Sequence, residues 1–104
     1  MGRTLSDASV ELVVIAFGDD YHTILKKDGV VVERKRLATE QQVMAWTSAI
    51  TGLVGQNLYV RLRSASGSRQ CELLRLATRL SMQGTTVGLD KPPTDCRFPI
   101  ERIQ

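Results

Sequence analysis

Histidine occurs once in this chain of 104 residues, at His22. A lone imidazole cannot form a His/Cys metal cluster, and no Ser–His or Cys–His spacing suggests a nucleophile with its base. His22 therefore reads as a surface or turn residue, and no catalytic residue, metal or cofactor is expected. Long apolar runs are missing too. The longest covers residues 12–17, against the ~20 residues that cross a bilayer. Residues 1–7 hold one arginine and no apolar stretch, so they do not read as a secretory signal. Aromatic residues are scarce, with one Trp, two Tyr and two Phe, so the core must be built from Val, Leu and Ile. Only two cysteines occur, Cys71 and Cys96. They are either a disulfide, which needs an oxidising compartment, or two free thiols with one of them packed.

What is present suits one ordinary globular domain. The chain is 42% hydrophobic and 24% charged, enough for a core without metal or disulfide staples. A formal charge of +3 and a pI near 9.2 favour an acidic partner, but are too small to argue for nucleic acid alone.

The stretch 57–89 organises the rest. Leu58, Val60 and Leu62 alternate with Tyr59, Arg61 and Arg63, the period of a strand with one buried face. A polar hinge, Ser64-Ala65-Ser66-Gly67-Ser68, precedes a helix whose Leu73, Leu74, Ala77 and Leu80 recur at helical spacing. Gly84 stops that helix, and residues 85–89 read as a second strand, parallel to the first. On the helix, Arg69, Glu72, Arg75 and Arg79 are expected on the outer side, with Glu72 placed to pair with Arg75 or Arg79.

Upstream, residues 10–17 are dense in Val, Leu and Ile and predict a well-buried, central strand. Gly18-Asp19-Asp20 supplies a turn, and its adjacent carboxylates read as turn formers rather than a site. Asp28-Gly29 between two β-prone runs predicts a tight hairpin. Thr39-Glu40-Gln41-Gln42 is a capping box, opening a helix that should bury Val43, Trp46, Ile50, Leu53 and Val54. Gly55 ends it, and Gly52 within it suggests close packing on a strand. The order is β-β-β-α-β-α-β. It predicts an α/β (α+β) two-layer sandwich, a mixed sheet with two helices on one face. Residues 1–8 are expected to be a disordered N-terminus, 9–91 the domain, and 92–104 a tail or edge arm anchored by Phe98 and Ile100.

One surface stands out. If Leu58, Val60 and Leu62 face the helices, Tyr59, Arg61 and Arg63 face away; in the neighbouring hairpin Arg34 and Arg36 share a face, while Lys35 points the other way. Such an open basic face can contact phosphates and stack bases. The strand order is not that of an RNA-recognition motif, and Tyr59 stands alone. The hinge at 64–68 lacks the lysine of a P-loop and the spacing of a dinucleotide site.

The layout resembles the periplasmic domains of the ExbD/TolR family. The corresponding pieces are Tyr59-Val60-Arg61-Leu62-Arg63, the helix to Met82, Gly84, Val87-Gly88-Leu89 and Pro92-Pro93. The hairpin at Asp28-Gly29 and the Thr39 helix match the upstream half. Arg63-Ser64 and Arg69-Gln70 stand where family members usually carry Ala-Asp and Tyr-Gly, and the transmembrane helix of that family has no counterpart in these residues. The resemblance implies a non-enzymatic interaction domain in the periplasm, binding a protein partner or itself, as a homodimer, through sheet edges. Tyr59, Arg61, Arg63, Arg34, Arg36, Phe98 and Ile100 are the expected contact residues. The alternative is a nucleic-acid-binding or regulatory module, cytoplasmic if the resemblance does not hold.

Overall fold

A computed structural model describes residues 10–65, 69–91 and Cys96. Strands β1 (Val10–Phe17), β2 (Asp20–Lys27) and β3 (Val30–Leu37) form an antiparallel meander. Helix α1 (Glu40–Val54) leads through a 3₁₀ turn to β4 (Leu58–Ser64), and α2 (Gln70–Met82) to β5 (Thr86–Leu89). The sheet order is β3-β2-β1-β4-β5, with β4 parallel to both β1 and β5. The expected sandwich is present, and its most apolar strand is the central one. The N-terminal segment, the centre of the hinge and the arm with Phe98 and Ile100 lie outside the described residues.

Local chemistry accounts for the connections. Asp28 and Gly29 both take positive φ, 55° and 81°, the backbone of a two-residue turn that follows the twist of its strands. The meander has one irregularity that residue pattern does not reveal. Lys26 faces Val31 while Leu25 faces Glu33, so Val32 is the extra residue of a β-bulge. Thr39 caps α1, its hydroxyl accepting from Gln42 N–H while the Gln42 side chain accepts from Thr39 N–H.

Leu12, Val14, Val60 and Leu62 of the sheet bury themselves against Val43 and Ile50 of α1 and Leu73, Leu76 and Leu80 of α2. The core is aliphatic, as the shortage of aromatics requires. The buried polar residues are satisfied internally: Thr47 donates to the Val43 carbonyl and Thr23 to that of Lys35, each at 2.9 Å.

Three expectations fail. Leu53 is not buried but 85% exposed. At 100° per residue it sits about 80° around α1 from Val43, whereas Thr47, Ile50 and Val54 cluster near the Val43 direction. Leu76 likewise takes the core place expected of Leu74, which is only half-buried. Gly52 is not pressed on a strand, because a Cβ there would meet open space. The predicted pairing of Glu72 also fails: Glu72 binds Arg69, and Arg75 and Arg79 reach Glu40 of α1 at 3.2 and 3.0 Å. Glu40, at the N-terminus of α1, thereby ties the two helices together.

Candidate interaction surfaces

No helix among the described residues packs on the opposite face of the sheet, where the strand residues that alternate with the core positions lie. On β4 the structure brings Tyr59, Arg61 and Arg63 together, as expected. On β3, Arg34 and Arg36 stand on the same face, opposite Ile24 and His22 of β2. The two groups do not meet. Two strands lie between β3 and β4, a separation of about 14 Å, and on them Val13, Ile15 and Ile24 share this face with Glu11, His22 and Lys26. Phe17 adds an exposed ring packed edge-on to His22 at 5.2 Å.

Most of this basic charge is already engaged. Arg61 lies 3.7 Å from both Glu11 and Asp90, Arg63 lies 3.9 Å from Asp90, and Arg36 Nε donates to Asp20 at 2.8 Å. Tyr59 is also occupied. It lies across Gly88 of β5, where an added Cβ would fall 1.9 Å from its hydroxyl. A phosphate backbone would therefore meet arginines with carboxylate partners and an aromatic ring pinned to its neighbour strand.

A second cluster, not foreseen from the sequence, joins α2 to the β1–β2 turn. Tyr21 is buried and its hydroxyl donates to the Glu72 carboxylate. Arg69 grips the same carboxylate with two nitrogens, at 3.0 and 2.7 Å. It also donates to the carbonyls of Gly18 and Asp20, at 3.0 and 2.8 Å, with its guanidinium 4.5 Å from the Tyr21 ring centroid. Burial, and then the Glu72 carboxylate, push the Tyr21 phenol well above the usual tyrosine range. The hydrogen bonds from Arg69 hold Glu72 below its ordinary value. Each acid and base in this cluster is satisfied, and its phenol is closed to solvent. These contacts tie the start of α2 to the β1–β2 turn. Helical spacing puts Arg69 on the outer side, but it stands at the N-cap position, before the first helical residue, and its side chain turns to Glu72 and the β1–β2 turn.

Beside this cluster, Cys71 and Cys96 form a disulfide with Cα atoms 5.5 Å apart. This decides between the two alternatives open in the sequence. It fastens the chain beyond β5 to the first turn of α2. Among the described residues no group of His, Cys, Asp or Glu could hold a metal ion, and no helix is long and apolar enough to cross a membrane.

The third feature is the outer edge of the sheet. Among the described residues β3 has a neighbour on one side only, and its Val30, Val31 and Val32 are 63%, 38% and 56% exposed. Between this edge and α1 lies a groove of about 400 Å³, lined by Leu25, Val32, Trp46, Ile50, Leu53 and Val54, with Lys27 and Glu33 among its polar members. Lys35 lies over the Trp46 ring, 4.0 Å from its centroid. The Trp46 indole N–H is buried with no acceptor among the described residues. Neither the groove nor the role of Trp46 at its wall was legible, because both depend on how α1 sits over β2 and β3. No family model, curated protein or solved structure matches this chain.

Proposed function

We propose that this chain is a non-enzymatic protein-interaction domain that receives a strand from a partner, or from a second copy, along the outer edge of β3. The observation that carries this reading is the exposed Val30-Val31-Val32 run on a strand that has, among the described residues, one free side. An edge strand presents unpaired N–H and C=O groups, and β-branched residues favour the extended conformation an added strand would share. The charges that follow, Glu33, Arg34, Lys35 and Arg36, together with the bulge at Val32, discourage indiscriminate pairing and leave room for a selected partner. Engagement of Arg36, Arg61 and Arg63 by carboxylates weighs against nucleic acid as that partner. The disulfide favours an oxidising compartment, in keeping with the periplasmic setting that the ExbD/TolR resemblance implies. On that reading the chain acts as a binding domain of an energy-transduction protein.

Site-specific photo-crosslinking in cells tests it. A photoreactive residue at Val31 should yield discrete protein adducts, whereas one at Thr78, on the exposed side of α2, should not. Equal adducts at both positions, none at Val31, or adducts to nucleic acid would overturn the reading.

A further inference from the structure

We propose that the groove between β3 and α1 is the specificity pocket for the incoming strand, accepting one large apolar side chain and, two residues along on the same face, an acidic one. This rests on the edge-strand reading above and adds to it the chemistry of the partner. Side chains alternate across a strand, so a segment added to β3 sends every second side chain toward the helix layer. At this edge the helix layer is incomplete. α1 leaves the groove open, and the bulge sets Val32 and Glu33 both opposite Leu25, which widens the apolar wall toward the edge. Leu53 and Val32 form the outer lips, each more than half exposed. Neither belongs to the core formed by the described residues.

Charge selects the second group. Glu33 is the acid on the groove wall, and Lys35 lies 3.8 Å from it while also covering Trp46. Lys27, on the opposite rim, forms no ion pair among the described residues. The rim therefore carries a surplus of positive charge that an aspartate or glutamate of the partner would offset. Drawing Lys35 toward such a carboxylate uncovers the Trp46 ring for the apolar side chain. Non-specific apolar docking would need no such charge.

Trp46 is the sole tryptophan, so its indole N–H gives one identifiable resonance in a proton–nitrogen NMR spectrum. The probe is a short synthetic peptide alternating threonine with valine and leucine and ending in aspartates, compared with the same peptide ending in lysines. The aspartate peptide should shift the Trp46 indole and the amides of Val30–Leu37 and bind about tenfold more tightly than the lysine peptide. Leu53→Asp and Lys27→Glu, both at exposed positions, should each weaken it by about tenfold with the melting temperature unchanged. Equal affinity for both peptides, or indifference to Leu53→Asp while the β3 amides still shift, overturns the pocket and leaves the edge reading standing. Binding without any shift in β3, or no binding of either peptide at millimolar concentration, overturns both.

Discussion

The Tyr21 hydroxyl donates to the Glu72 carboxylate across 51 residues of sequence, joining the start of β2 to the first turn of α2. Removing that hydroxyl leaves Glu72 gripped by Arg69, so the carboxylate is not orphaned. Tyr21→Phe should therefore remain folded and lose about 1.5–3 kcal/mol, the range for a hydrogen bond to a charged group. Urea unfolding should show a lower midpoint with an unchanged slope.

Acid should act through Glu72. Its carboxyl is held below its ordinary value of 4.5 in the folded chain, so its contribution is present above that value and is lost as pH falls through the depressed folded one. Glu72→Gln should cost stability at neutral pH and flatten the acid limb of a melting-temperature profile. A parallel limb in the variant would assign the acid response elsewhere. At the alkaline end the sign reverses. The raised Tyr21 phenol stabilises the fold below its unfolded value of 10.0 and loses that contribution as pH rises beyond it.

Reduction of Cys71–Cys96 opens a loop with a sequence separation of 25 residues. The chain-entropy relation assigns such a loop about 3.5 kcal/mol. A thiol reductant should lower the melting temperature of the wild type, and the Cys71→Ala/Cys96→Ala double variant should melt at the lower temperature with or without it.

Two neighbouring apolar residues of α1 should behave oppositely. Ile50 is 2% exposed and packed in the core, whereas Leu53 is 85% exposed. Ile50→Ala should cost about 2–5 kcal/mol, while Leu53→Ala should stay within about 0.5 kcal/mol. Thermal melts of the two variants decide it directly.

These contrasts show where sequence reading succeeds and where it stops. The Asp28-Gly29 hairpin, the Thr39 capping box and the parallel β4–β5 pair were legible because each is written in contiguous residues with one low-energy backbone solution. Arg34 shares a face with Arg36, and Tyr59 with Arg61 and Arg63, as alternation within each strand predicts. The ion pairs of Arg36, Arg61 and Arg63 are not legible, because Asp20 and Glu11 come from other strands, Asp90 lies just past β5, and their approach depends on register. The bulge at Val32 leaves no mark in composition, yet it places two consecutive side chains at the groove. Trp46 was read as core from its helical spacing. It is instead a half-buried wall, because the outer flank of α1 overhangs the sheet near its edge.

The central strand acquires its two neighbours at very different moments. β2 follows β1 after a two-residue turn and can pair with it as soon as both exist. β4, whose Leu58 lies beside Val10, arrives only after β3 and α1 have been made. Until then the most apolar strand of the chain presents a bare side of its own, and a growing or refolding chain is most open to mispairing there. Its yield should depend less on final stability than on how quickly α1 carries β4 into that gap.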